Sequence, residues 1–242
     1  MKVTYIGHSG FMLEWEDCYW LFDYYEGDIP TPSTPKPLYV FSSHSHSDHF
    51  NPAIFSIAGF SKICYILSHD IMGKTKKYET PANPDSIHFI KAREQLILPV
   101  EGTNKQLEIQ TLPSTDCGVA FLLHYEEKWI YHAGDLNWWV WPGESKQYNN
   151  NMTANFKKYT APLKGLDIFA AFLPLDPRQE DWYSKGLLYI LERTNNIKYV
   201  FPMHCWKDYS VIQKFINSQE GHPYQKQIQP VAKEGQTFLC TE

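Results

Sequence analysis

The stretch Leu38-Tyr39-Val40-Phe41-Ser42 runs without a break into Ser43-His44-Ser45-His46-Ser47-Asp48-His49, and this junction decides the fold. The first five residues read as a buried strand, and the strand delivers the polar run from its C-terminal end. That run places three imidazoles and one carboxylate within six residues. His44 and His46 are two apart, so on an extended segment they project from the same side. Asp48 and His49 come after the chain turns and can face a second ion. Nitrogen and carboxylate ligands of this kind suit zinc, iron or manganese. A solvated loop with incidental histidines is the competing reading, but four such ligands at this spacing rarely arise by chance.

Working outward, Asn51-Pro52 reads as an N-cap followed by proline at the first helical position, opening a short helix through Ala58. Upstream, Lys2–Ile6, Phe11–Trp15 and Tyr19–Asp23 form a β-meander punctuated by Gly7, Gly10 and Glu16-Asp17. The loop carrying Pro30, Pro32, Pro35 and Pro37 must be extended and cannot be a central strand. Downstream, strands are expected at Ile63–Leu67, Ile87–Lys91, Leu96–Val100, Leu107–Leu112, Val119–Tyr125 and Lys128–His132, with Glu126-Glu127 turning between the last two. The remainder alternates helices near Thr153–Thr160, Ser184–Arg193 and Tyr209–Ile216 with strands Ile168–Phe172 and Tyr199–Pro202. The asparagine run Asn149–Asn151 reads as loop. Strands followed by mixed elements, in two roughly equal halves, suggest two sheets packed face to face with helices outside. Residues 1–242 are expected to form one α/β domain.

Bulk properties narrow the function. A net charge of −5 offers no basic field for a phosphate backbone, which disfavours nucleic acid as a partner. No apolar stretch approaches the ~18 residues of a membrane span, and Met1-Lys2 leads directly into a polar alternation rather than a signal peptide. The cysteines Cys18, Cys64, Cys117, Cys205 and Cys240 are odd in number and contain no C-x-x-C pair. A cytoplasmic protein with free thiols is expected. Its expected partner is a small-molecule substrate, and a homo-oligomer is compatible with the sequence.

One loop cannot complete two metal sites. Two strand ends offer distant ligands, Asp135 in Tyr131-His132-Ala133-Gly134-Asp135 and His204 in Phe201-Pro202-Met203-His204. Alone, the first reads as a turn former and the second as a satisfied core histidine.

With these residues in this order, the chain resembles the metallo-β-lactamase superfamily over nearly its whole length. Asp23 is similar to the first-motif Asp, His44-x-His46-x-Asp48-His49 to the second motif, Asp135 to the metal-bridging Asp and His204 to the final His. Gly7-His8-Ser9-Gly10 and the compact length resemble the branch that includes ascorbate-6-phosphate lactonases. The resemblance implies a four-layer αββα sandwich with the site at one sheet edge. It implies two divalent ions, zinc ahead of manganese or iron, with His44, His46 and Asp135 on one and Asp48, His49, Asp135 and His204 on the other. Asp23 is then expected to steady the His loop rather than bind an ion. The chain departs from the family at the third motif: Leu112-Pro113-Ser114-Thr115-Asp116-Cys117-Gly118 has no histidine. Either Asp116, or a hydroxyl of Ser114 or Thr115, takes its place, or the first ion has one protein ligand fewer and Asp116 only shapes the turn before Gly118.

A two-metal site implies metal-assisted hydrolysis, in which a water activated by the ions attacks a carbonyl or phosphorus. Asp48 and Asp135 are the expected catalytic carboxylates. The substrate class is a small ester, lactone, amide or phosphoester. The alternatives are a nuclease or phosphodiesterase of the same fold, and a metal-binding protein without turnover. Around the centre, His8 sits in a turn that either reaches the site rim or lies on the surface. His132 alternates away from Asp135 and reads as core or support. The run through Trp138, Trp139 and Trp141, with Trp206 opposite, walls the substrate pocket or serves fold packing or a dimer interface. Arg178 is a candidate anion clamp with Asp176 as proton donor or partner, and a structural ion pair is the plainer reading. Cys117 and Cys205, beside proposed ligands, read as buried neighbours.

Overall fold

Alternation in the first strands feeds two separate apolar clusters. In the computed structural model, which describes residues 1–242 apart from 79, 81, 82, 84 and 85, the chain forms two mixed sheets. The first contains β1 (Lys2–Gly7), β2 (Gly10–Glu14), β3 (Tyr19–Phe22), β4 (Leu38–Ser42), β5 (Ile63–Ser68) and β6 (Ile87–Ile90) in spatial order. Strands β1 to β3 are antiparallel neighbours, and β3 to β6 are parallel. Val3, Tyr5, Phe11, Leu13, Trp20, Phe22, Tyr39 and Phe41 point into the main core. Ile6, Met12, Tyr19, Leu21, Leu38 and Val40 point the other way, onto Phe50, Ile54 and Ile71. Period-two geometry explains why these strands are apolar at consecutive positions, since both faces are covered.

The second sheet is built from β7 (Gln95–Pro99), β8 (Gln106–Pro113), β9 (Val119–Tyr125), β10 (Lys128–His132), β11 (Asp167–Pro174) and β12 (Asn196–Met203). Here β7 to β10 are antiparallel, and β11 and β12 are added in parallel. Glu126 and Glu127 both adopt positive φ, 50° and 60°, as a two-residue hairpin turn with the strands' own twist demands. The final strand β13 (Thr237–Leu239) returns to the first sheet and pairs with β1. Three residues are too few to register as alternation, and the sequence gives no sign of this strand.

Aromatic rings fill the space between the sheets. Phe22 stacks on Phe41 and on His132 at 4.8 and 4.7 Å, and Phe172 lies 4.6 Å from Phe11 and 5.0 Å from Phe201. Trp15, Trp20 and Tyr125 close the opposite end. The high aromatic content is therefore mostly core, and truncating one such ring costs about 3–5 kcal/mol.

Among the described residues, four α-helices flank the sandwich: α1 (Met72–Thr75), α2 (Lys146–Tyr159), α3 (Lys185–Arg193) and α4 (Ser210–Asn217). α3 buries Leu187, Ile190 and Leu191, and α4 buries Val211, Ile212 and Phe215, at the spacing of one helical face. The 3-10 turn Pro52–Ser56 covers the outer face of the first sheet, with Asn51 Oδ1 accepting from the Ala53 amide as its cap. Asn149–Asn151 corrects the expectation of a loop, because it lies inside α2. Ser145 caps that helix, and the Asn149 side chain makes paired bonds to the Trp141 backbone, 3.1 Å each way. Tertiary contacts override the weak helix propensity of asparagine.

Pairing directions bring the C-terminal ends of β1, β3, β4, β8, β10, β11 and β12 to one edge of the sandwich. His8, Asp23, the His44–His49 loop, Asp116, Asp135, Asp176 and His204 all follow those ends. Ligand sites in sheets with parallel strands commonly form at such carboxyl ends.

Candidate metal centre

Asp23 is fully buried at the end of β3 and holds the histidine loop at three points. Its carboxylate accepts from the Ser43 amide and the Ser43 hydroxyl, each at 2.7 Å, and from His49 Nδ1 at 2.7 Å. Burial alone pushes this carboxyl up, but the adjacent His49 more than offsets it and holds Asp23 below the usual carboxylate range. Because Ser43 Oγ donates to Asp23, it accepts from His44 Nδ1 at 3.0 Å, which leaves the His44 Nε2 lone pair facing inward. Burial, reinforced by the neighbouring His49, lowers His44 to about 4, so its imidazole is neutral.

Two glycines allow the neighbouring loops to approach this one. A side chain on Gly118 would bring its Cβ within 2.0 Å of the Ser43 carbonyl oxygen, and one on Gly134 within 2.6 Å of Ser43 Cβ. Both have positive φ, 66° and 51°. Only glycine satisfies both demands. Thr115 then ties the two approaching loops together, its hydroxyl donating to the Asn137 carbonyl at 2.6 Å and accepting from the Asn137 amide at 3.1 Å.

Asp135 stands at the middle of the assembly. Its Oδ1 lies 3.2 Å from His49 Nε2 and 3.4 Å from His204 Nε2, and its Oδ2 lies 3.7 Å from His44 Nε2. The two oxygens thus face different histidines, the disposition of a bridging carboxylate. His204 is oriented as His49 is: its Nδ1 meets the buried Asp176 carboxylate at 2.9 Å, and its Nε2 points inward. Burial opposes charge on His49, yet Asp135 and Asp23 at its two nitrogens raise it well above the usual histidine value. Burial likewise opposes charge on Asp135, but His49 and His204 bring its carboxyl well below the usual range.

Two sets of donors each gather within 4.8 Å of one another: His44, His46, Asp116 and Asp135, and His8, Asp48, His49 and His204. Asp116 Oδ2 lies 3.3 Å from His46 Nδ1, and His46 Nδ1 lies 3.1 Å from His44 Nε2. Burial and the nearby Asp135 raise the Asp116 carboxyl. Four buried atoms of these sets, His8 Nε2, His49 Nε2, His204 Nε2 and Asp135 Oδ1, have no hydrogen-bond partner. An unpaired buried polar atom costs about 1–3 kcal/mol, so four in one place call for a common partner. Inward-facing imidazole nitrogens, deprotonated on binding, together with carboxylates fit a divalent transition ion. Strain gathers here too, with positive φ at His8, Asp23, His204 and Trp206.

A beta-lactamase superfamily domain matches residues 2–147, more than half of the chain. The chain belongs to the beta-lactamase superfamily. A relative from Desulforamulus reducens, named a UPF0173 metal-dependent hydrolase, is 28% identical over 156 residues. That match covers 56% of this chain and 62% of the relative, so the chain spans less than two thirds of the relative's length. Among solved structures, the metallo hydrolase Igni18 from Ignicoccus hospitalis aligns with a TM-score of 0.61 at 18% identity, over 98% of this chain and 97% of Igni18. The metallo-β-lactamase fold protein YhfI from Bacillus subtilis aligns with a TM-score of 0.60 at 12% identity, over 98% of each chain. These likenesses show the metallo-β-lactamase fold.

A cleft beside this centre has a volume of about 200 Å³ and is lined by Thr115, Asp116, Asp135, Trp139, Trp141, Tyr148, Met152, Arg178 and His204. Trp138, expected in its wall, points elsewhere: its ring stacks on Phe156 and its Nε1 donates to Thr153. Trp139 and Trp141 stack in parallel at 5.8 Å and take that place. The chain leaves the strand before this run, so no alternation tells one tryptophan from the next. Asp176 and Arg178 form an ion pair, with the Arg178 guanidinium 4.4 Å above the Trp206 ring. Asp176 is buried on His204 instead of opening to the cleft. His132 is buried, with Nδ1 accepting from the Gly134 amide and Nε2 donating to the Ser9 carbonyl. Cys205 is buried and Cys117, contrary to expectation, is exposed, because its turn lies at the rim. Among the described residues no helix is long and apolar enough to cross a membrane.

Proposed function

We propose that this chain is a metal-dependent hydrolase acting on a small ester, lactone, amide or phosphoester. The observation that carries the reading is the convergence of orphaned donors from His49, His204 and Asp135 on one point at the sheet edge. His44, His46, Asp116 and Asp135 would hold one ion, and Asp48, His49, Asp135 and His204 the other. When bound, the ion pair supplies Lewis acidity, making water nucleophilic near neutral pH and stabilising a developing oxyanion.

The chain's own groups do the rest. Asp135 fixes the spacing of the two sites, since its oxygens point to different histidines. Asp23 and Asp176 hold His49 and His204 in the tautomer that turns Nε2 inward. Asp48 is partly open to solvent and keeps its carboxyl well below the usual range, against burial, through His8 and His49. It is therefore a carboxylate at working pH and can orient a water. Trp139, Trp141 and Tyr148 form an apolar wall that excludes bulk water, and Arg178 offers a cation at the mouth. A cleft of about 200 Å³ suits a small substrate. Zinc is the preferred ion by donor chemistry, with manganese or iron favoured where Asp116 adds a second carboxylate.

The test is a panel of lactones, esters, amides and phosphodiesters assayed with native, chelated and reconstituted protein. Hydrolysis of at least one class is expected, lost on chelation and restored by zinc or manganese. Turnover indifferent to chelation, with the protein shown free of metal, would overturn the reading.

A further inference from the structure

The β1–β2 turn carries a histidine that the superfamily's ligand pattern leaves without a part. His8 sits at φ 51°, a backbone conformation that side-chain-bearing residues rarely adopt. The turn is locked to the site from the far side of the molecule's chain order, since the His204 amide donates to the His8 carbonyl at 3.2 Å. The side chain is 7% exposed, and its ring lies 4.2 Å from the His204 ring and 5.5 Å from the His49 ring, with Trp206 closing the outside at 4.8 Å. Its Nε2 approaches Asp48 Oδ2 to 3.4 Å without hydrogen-bond geometry, and it is buried with no other partner. His8, Asp48, His49 and His204 each present a donor atom within one 4.8 Å cluster.

We propose that His8 is a direct ligand of the second ion, completing a set of three imidazoles and Asp48 beside the shared Asp135. This rests on the two-metal reading above and extends it. A strained turn that buries an unpaired imidazole nitrogen next to two further unpaired imidazole nitrogens is uneconomical for packing alone. A cation coordinated by all three satisfies them together. The two sites then differ in kind. The first offers two imidazoles and two carboxylates, and the second is rich in nitrogen. Nitrogen-rich sites favour zinc or cobalt, whereas carboxylate-rich sites accept manganese or magnesium more readily.

The plainer role for His8 is to donate a hydrogen bond that orients Asp48, and one experiment separates the two. His8→Ala and His8→Gln are prepared as metal-free folded proteins, checked by circular dichroism, and titrated with Co2+ by calorimetry and visible absorption. A direct ligand predicts that both variants weaken the second Co2+ at least tenfold and change its d–d spectrum, while the first Co2+ binds as in the wild type. The glutamine keeps an N–H donor, so an orienting role predicts wild-type affinity and spectrum for His8→Gln, and that result overturns the proposal. Wild-type protein that takes up no second Co2+ overturns the metal-pair reading along with it. Wild-type protein binding two Co2+ with unperturbed variants overturns the His8 assignment alone.

Discussion

Ser43 and Asp23 show how much of this site depends on residues that never face a substrate. Three donors from one loop end on the Asp23 carboxylate, and each would be buried without an acceptor if it were removed. Asp23→Ala is expected to lose about 3–5 kcal/mol of stability, as breaking a buried charged pair does. Metal affinity should fall 10–100-fold with it, because His49 and His44 lose the bonds that set their tautomers. Thermal denaturation of the metal-free protein and a metal titration measure the two effects. Unchanged affinity in a folded variant would mean that the loop holds its shape without Asp23. Most of the inner residues were legible in the sequence, since His44, His46, Asp48 and His49 are local to one loop and Asp135 and His204 close strands. His8 was only half legible: a turn histidine has no periodicity, and nothing local shows that its turn folds back onto His204.

At the level of elements, strands read well from sequence because burial on one or two faces imprints period two on them. β4, β9 and β10 fall on the expected bounds. Elements fixed by distant contacts read poorly. The start of α2 depends on Asn149 bonding the Trp141 backbone, and β13 depends on β1 being an open edge. The β8–β9 turn is the element on which the site leans hardest, because Gly118 lets it touch the Ser43 carbonyl. Gly118→Ala adds a methyl group where there is a backbone oxygen at 2.0 Å, at a residue with φ 66°. The turn must move away, carrying Asp116 with it. We expect a loss of roughly 3 kcal/mol or more and weakened binding at the site holding His46. A melting temperature and metal affinity equal to the wild type would show that the turn does not bear on the loop.

For the whole molecule, the sandwich acts as a device for convergence. Two mixed sheets packed face to face bring the ends of seven strands to one line, and the aromatic layer between them fixes their separation. Residues as distant in sequence as His8, His44, Asp135 and His204 meet there only because both sheets form. Metal binding and folding are therefore linked, and an ion bound only by the folded chain stabilises it. Asp135 is the residue through which the two donor sets join, since its Oδ1 faces His49 and His204 and its Oδ2 faces His44. The most direct measurement is metal stoichiometry by elemental analysis of zinc-reconstituted wild type and Asp135→Ala, both verified as folded. Two ions per chain in the wild type and one or none in the variant are the expected values. Two ions retained in Asp135→Ala at wild-type affinity would contradict a centre bridged by this carboxylate.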